Sequence, residues 1–300
     1  MAPLWSRSAD SVATRVHRAT SGAVRVLEPT DTPALLRLLE RDPAHHVSVL
    51  AAVRARGTAA PGKGRIGAML LGVDHPEQSG ELSSACWVGS NITPVHAGPA
   101  EGELYGLALR ALRRRVSSVY GDAEPVLELH DAAGWVNVRE VRADQPLLSI
   151  DVPSAIEPMP EVRPSRLGEF DAVEQASAAM FTEELGFSPY TQGASEYQQR
   201  IRSLIAGGYS LIAVGEDDII IFKAEFGAVT REVVQVQGVW VHPEHRGLGL
   251  AASGMSAVVD YGLKLAPVVS LYVNGYNTAA VRAYQRVGFQ PEGTFATILF

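Results

Sequence analysis

One stretch constrains this chain more than any other: Val239-Trp-Val-His-Pro-Glu-His-Arg-Gly-Leu-Gly-Leu-Ala251. The run Val233–Val241 is rich in β-branched residues and reads as a strand. The segment Leu250–Lys264 reads as a helix, with Ala251, Met255, Val258 and Val259 along one face. Between them Pro243 stops the strand, and Gly247 and Gly249 let the backbone turn sharply. A helix that starts behind two glycines turns several backbone N–H groups outward, where the helix dipole adds positive potential. Such a junction is an anion site, most naturally for a phosphate.

The spacing narrows which phosphate. Gly247-x-Gly249-x-x-Ala252 fits a dinucleotide fingerprint, but that reading needs an acidic residue about 20 residues on, at the end of the next strand. The segment Pro267–Val273 holds no carboxylate. An NTPase loop needs Lys-Ser or Lys-Thr behind its glycines, and Leu250-Ala251 stands there instead.

Arg246-x-x-Gly249-x-Ala251 resembles the pyrophosphate loop of the GNAT superfamily of acyl-CoA-dependent N-acetyltransferases. A second segment, Asn277-x-x-Ala280-x-x-x-Tyr284-x-x-x-Gly288-Phe289, is similar to that family's later motif at every position and follows a second strand, Val268–Asn274. Each piece alone is an ordinary strand–helix turn or a glycine-capped amphipathic helix; their ordered pairing is what the bland reading leaves unexplained. The phrases Met180–Gly186, Phe222–Ala228 and Arg142–Leu148 resemble a two-domain subgroup, in which a degenerate N-terminal domain of undefined function precedes a working acetyltransferase domain.

The length of 300 residues suits two domains of about 150. The expected fold class is α/β with a mixed α+β sheet, as two tandem GNAT-like domains. The divisions are a flexible lead-in over 1–22, a degenerate domain over 23–150, a proline-bearing linker over 151–161 and the acetyltransferase domain over 162–300. The first half reads as strand, two helices, strand candidates Ile66–Val73, Leu82–Val88 and Ile92–His96, helix Glu101–Arg115, strand Val116–Tyr120, a short helix from Pro125 and a closing strand Gln145–Ile150. It lacks the glycine loop before its Glu101 helix, hence the reading as a copy without a cofactor site; the alternative is an unrelated α+β domain. In the second half, helices Leu167–Glu184 and Ser195–Ile205 precede three antiparallel strands, and Thr294–Phe300 is the last strand.

The first 150 residues carry 16 Lys/Arg and 16 Asp/Glu and the last 150 carry 10 and 17, so the whole net charge of −7 lies in the second half. That balance argues against nucleic acid and is compatible with a cationic amine acceptor. No apolar run is long enough to span a bilayer, and Arg7, Arg15 and Arg18 flank no secretory core. One cysteine, Cys86, excludes an internal disulfide and a cysteine-cluster metal site, so a reducing cytoplasm is the expected location. No third ligand joins the His45–His46 pair or His242 and His245 at metal-site spacing, so no metal is expected.

The resemblance implies roles. Acetyl-CoA is the expected acyl donor, its diphosphate held by the backbone of Arg246, Gly247, Leu248, Gly249, Leu250 and Ala251. Its pantetheine arm pairs with Val239 and Val241, where Gly238 allows a bulge. Asn277 bonds the arm and starts its helix. Tyr284 is the candidate general acid, its phenol handing a proton to the more weakly basic departing thiolate. The base position used by many relatives holds Gln235, which accepts no proton. Glu225 and Glu183 or Glu184 are therefore the candidate bases, with an ion pair to Lys223 the alternative for Glu225, solvated helix-end charge the alternative for one of the others, and a water relay the alternative to all. The expected reaction is acetyl transfer to a primary amine, a small molecule or a peptide, by direct attack, in a chain that is a possible homodimer. The alternatives are an aminoacyl- or longer acyl-transferase on a paired scaffold, and a non-catalytic acyl-CoA-binding module.

Overall fold

The computed structural model describes residues 11–62, 67–215 and 218–300. Arg7 and Ile66, which enter the expectations above, lie outside the described residues. The chain forms two compact units, Met1–Gln145 with Thr294–Phe300, and Pro146–Gly293.

The first unit opens with α1 (Val12–Ala19), where the sequence reading expects a flexible lead-in. Ser11 caps it by accepting the Thr14 N–H at 3.1 Å, and Val16 on its inner face is fully buried. Four turns are unnecessary when one capped, amphipathic stretch finds a core to cover. Then come β1 (Arg25–Val26), α2 (Thr32–Leu39), α3 (Pro43–Arg56), β2 (Met69–Asp74), β3 (Leu82–Val88), β4 (Asn91–Val95), α4 (Pro99–Leu112), β5 (Ser118–Asp122), α5 (Ala123–Ala133) and β6 (Glu140–Ile150).

The second unit continues with β7 (Arg163–Pro164), α6 (Phe170–Leu185), α7 (Ala194–Ala206), β8 (Ser210–Val214), β9 (Ile220–Val229), β10 (Val233–Val241), α8 (Leu250–Gly262), β11 (Val268–Tyr272), α9 (Thr278–Val287) and β12 (Gln290–Leu299). Each helix α5, α6 and α9 ends on a glycine in the left-handed region, Gly134, Gly186 and Gly288.

The strands that make up the first unit run in the order β1-β2-β3-β4-β5-β12 and those of the second β7-β8-β9-β10-β11-β6. In each, one parallel contact, β4 with β5 and β10 with β11, stands among antiparallel ones. The sixth strand of each unit comes from the far half of the chain. Phe295–Leu299 of β12 pair with Ser118–Asp122, while Leu147–Ile150 of β6 pair with Val269–Tyr272. The sequence reading keeps Gln145–Ile150 in the first half and Thr294–Phe300 in the second; the two units trade these strands. The cores account for the trade: Ala296 and Ile298 are fully buried with Val119 and Leu109, and Leu148 and Ile150 are buried with Val269 and Val287. Fully burying a side chain the size of Ile298, Leu148 or Ile150 stabilises by about 1.5–3 kcal/mol. Apolar alternation marks a strand without saying which neighbours it joins.

Among the described residues no helix is long and apolar enough to cross a membrane.

Candidate functional site

In the second unit β10 and β11 start together and part. Their parallel pairing covers Val233–Gln235 against Val268–Ser270 and stops there. On its other side β10 stays joined to β9 through Val241↔Phe222, with a register slip between Gln237↔Glu225 and Trp240↔Lys223. That slip is a β-bulge, and Gly238 sits in it at φ +61°, where a side chain is strained. The His242 N–H donates to the Ile221 carbonyl on the β9 side at 2.9 Å. By strand alternation Val241 and Val239 present their backbone to the opposite side, the one β11 has left. The Val241 carbonyl is taken by the Arg246 Nε at 3.0 Å; its N–H has no backbone partner outside the sheet among the described residues.

Beyond β10, a short turn over Pro243–His245 leads into the glycine loop. Gly247 and Gly249 stand at φ +80° and +83°, and Gly249 is the N-cap of α8. A Cβ at either would meet nothing within 4 Å, so backbone conformation rather than crowding requires glycine, and the loop faces open space. No hydrogen bond leaves the N–H groups of Gly247 through Ala251 among the described residues; the first from this turn is Ala252 N–H to the Gly249 carbonyl at 3.1 Å. Five successive unpaired donors stand at the positive end of a 13-residue helix, an arrangement whose potential favours an anion.

Arg246 points from this loop to α6. Its Nη2 meets Glu183 Oε2 at 2.7 Å, and the Trp240 indole N–H reaches Glu183 Oε1 at 3.5 Å. The sequence reading has no signal for this contact, because 63 residues separate the partners. Glu184 stands near Tyr284. Burial, then the Glu184 charge, push the Tyr284 hydroxyl well above its ordinary pKa, so it holds its proton throughout the neutral range. Tyr284 is 7% exposed, stacks edge-on to Phe289 at 6.0 Å, and its hydroxyl has no hydrogen-bond partner among the described residues. Asn277 is exposed and caps α9, its Oδ1 accepting the Ala280 N–H at 3.2 Å.

Glu225 does not stand as a free carboxylate. Its Oε1 accepts from Lys223 Nζ at 2.8 Å and its Oε2 from Arg200 Nη2 at 3.0 Å and Gln237 Nε2 at 3.4 Å. Lys223 is fully buried and Glu225 is 2% exposed. Burial pushes the Glu225 carboxyl up, but the charges of Lys223 and Arg200 outweigh it and hold the carboxyl below its ordinary range. Occupied lone pairs and a lowered pKa make it a poor proton acceptor, so the geometry supports the ion pair with Lys223 over the base. Charged residues at alternate positions of an apolar inner strand pointed to the pair; Arg200, on α7, had no sequence signal.

The matching junction of the first unit is β4–α4. There the Gly98 N–H donates to Glu101 Oε2 at 2.9 Å, and Pro99, the first helical residue, has no N–H. The chain's own carboxylate stands where an anion would.

A family model described as the acetyltransferase (GNAT) family matches residues 171–289, and one for a domain of unknown function, DUF4081, matches residues 68–173. No protein of curated function matches the chain in sequence. Among solved structures, a GNAT-family acetyltransferase from Colwellia psychrerythraea covers 92% of this chain and 99% of its own at 14% identity and a TM-score of 0.57. A GCN5-related N-acetyltransferase from Sphaerobacter thermophilus covers 92% and 94% at 20% identity and 0.58. A tandem GNAT protein from the clavulanic acid biosynthesis pathway covers 91% and 97% at 15% identity and 0.52. At these identities the likeness is one of fold, and it spans both units. The family match falls on the segment of the second unit that carries the loop and both motifs, and the fold of the whole chain is that of tandem GNAT proteins.

Proposed function

We propose that the second unit transfers the acetyl group of acetyl-CoA to a primary amine. The observation that carries this reading is the run of unpaired N–H groups from Gly247 to Ala251, directly after a strand whose parallel neighbour has parted from it. The open space around both glycines and the free edge of β10 fit a diphosphate followed by an extended amide-bearing arm. When bound, the donor supplies a thioester carbonyl for the amine to attack and a sulfur to leave. The backbone of Arg246–Ala251 holds the diphosphate, and Val239 and Val241 bind the arm as an added strand. An N–H of this edge polarises the carbonyl oxygen as charge develops on it. Asn277 caps α9 and bonds the arm.

Tyr284 gives its proton to the sulfur as the carbon–sulfur bond breaks. Glu184, beside it, accepts the proton that the acceptor ammonium must lose before attack and passes it to water. The second nitrogen proton, lost as the amide forms, restores Tyr284. The negative balance of the second half favours approach of a cationic amine.

The test is release of free thiol from acetyl-CoA across a panel of primary amines. Wild type turns over at least one amine, and Tyr284→Phe lowers kcat with little change in acetyl-CoA affinity. Binding of acetyl-CoA without turnover of any amine would make the unit a binding module instead.

A further inference from the structure

A buried ion pair is a poor way to stabilise a sheet. Apolar residues of similar volume in its place are often neutral or more stable, whereas removal of one partner is costly. Lys223 and Glu225 nevertheless occupy an inner strand, directly against the bulge of β10. The Lys223 ammonium donates to Glu225 Oε1 at 2.8 Å and to the Gly238 carbonyl at 3.2 Å, and lies 3.9 Å from the Met180 sulfur. Glu225 in turn binds Arg200 and the side chain of Gln237, the residue before the bulge. A Cβ on Gly238 would stand 3.3 Å from the Glu225 carboxylate and 3.4 Å from Lys223 Nζ, so the network closes tightly around this glycine.

The Gly238 carbonyl and the Val239 N–H belong to one trans peptide, and in such a plane they point in opposite directions. Gripping the carbonyl on one side therefore aims the N–H to the other. Glycine at φ +61° has no side chain to resist rotation of that peptide, so without the grip the direction is poorly determined.

We propose that Lys223, held in place by Glu225 and Arg200, is a positioning residue that aims the Val239 N–H at the carbonyl oxygen of the acyl donor. This rests on the acyl-transfer reading of the same site. The test uses the double variant Lys223→Met/Glu225→Leu, which leaves no unpaired buried charge, with Lys223→Arg as the conservative control. For each protein, thermal unfolding, acetyl-CoA affinity, kcat with the best amine, and the infrared carbonyl stretch of bound carbon-13-labelled acetyl-CoA are measured. The double variant is expected to fold with an unchanged or higher midpoint and to bind acetyl-CoA within about threefold. Its kcat falls by about a hundredfold, the scale of losing one aimed donor, and the thioester stretch returns toward its value in water. Lys223→Arg, which keeps a donor for the Gly238 carbonyl, recovers part of both. A folded double variant with unchanged kcat and stretch would overturn this inference alone. No acetyl-CoA binding by folded wild type would overturn the acyl-donor reading and this inference with it.

Discussion

Apart from α1, which the second unit lacks, the two units of this chain put the same elements in the same order around a parallel strand pair, and then treat the strand ends oppositely. In the second unit β10 leaves β11 after Gln235, and the helix behind it starts on Gly249 with its donors unpaired. In the first, β4 and β5 pair only at Asn91↔Ser118 and Ile92↔Val119, but the ends are filled by the chain itself. The His96 N–H donates to His46 Nε2 at 3.2 Å, the two imidazoles meet edge-on with centroids 4.5 Å apart, and His45 Nδ1 meets Asp122 at 2.5 Å. Glu101 then takes the Gly98 N–H, and Pro99 offers none. A fold supplies the place for an anion site; the residues decide whether its donors are left for a ligand or used at home.

The largest effect that would sharpen this contrast is a pH dependence confined to the first unit. Burial, then the neighbouring His96, lower the His46 pKa from 6.5 to about 3. The folded value is the lower one, so His46 is neutral in the fold and charges on unfolding. Its contribution is whole above pH 6.5 and is lost as pH falls from 6.5 toward 3, by at most about 5 kcal/mol. Denaturant midpoints read between pH 7.5 and 4 should fall steeply for wild type and less steeply for His46→Gln. Equal slopes would mean that the filled strand ends cost nothing on acidification.

Next in size is Tyr284→Phe, for which kcat should drop by about a hundredfold or more, or about 3 kcal/mol, with acetyl-CoA affinity kept. An unchanged kcat would remove the proton donor from the second unit and, with it, much of the contrast in chemistry.

A smaller effect tests the plugged junction directly. Glu101→Ala should cost the first unit about 1 kcal/mol of unfolding free energy through loss of its cap. It should create no acetyl-CoA site, because Pro99 still lacks an N–H. A second binding event in this variant would show that one carboxylate alone separates the two junctions.

The smallest effect concerns Arg246, 49% exposed in its pair with a Glu183 that is 44% exposed. An exposed pair of this kind contributes under about 1 kcal/mol. Glu183→Gln should leave the unfolding midpoint nearly unchanged and tighten acetyl-CoA at most about fivefold, since Arg246 is then free to turn to the diphosphate. Weaker binding would mean that Glu183 holds the loop in shape rather than competing for its arginine.

Much of this contrast is written in short stretches. Gly247 and Gly249 announce a backbone that only glycine adopts cheaply, Pro243 ends the strand, and Asn277 and Gly288 bound α9, so that loop and both helices could be read before any coordinates. Glu225 with Lys223 could be read as charge on an apolar strand, though not as a grip on the Gly238 carbonyl, since pairing register is needed to bring Lys223 opposite Trp240. The trade of β6 and β12 was out of reach for a similar reason: alternation in Leu147–Ile150 or Phe295–Leu299 specifies faces and not neighbours. The helix over Val12–Ala19 was hidden by its composition, in which one buried valine and one capping serine outweigh a polar surround. Contacts between distant segments, Arg246 with Glu183 and Arg200 with Glu225, leave no local pattern at all.

On the proposed function, the junction after β10 binds the acyl donor and the one after β4 does not. Calorimetric titration of the whole chain with acetyl-CoA measures this as a stoichiometry, alongside Gly249→Glu, whose carboxylate would stand among the Gly247–Ala251 donors at a residue with φ +83°. One acetyl-CoA per chain is expected for wild type and none for the variant, with both proteins folded. Two equivalents per chain, none for wild type, or binding that survives in Gly249→Glu would contradict it.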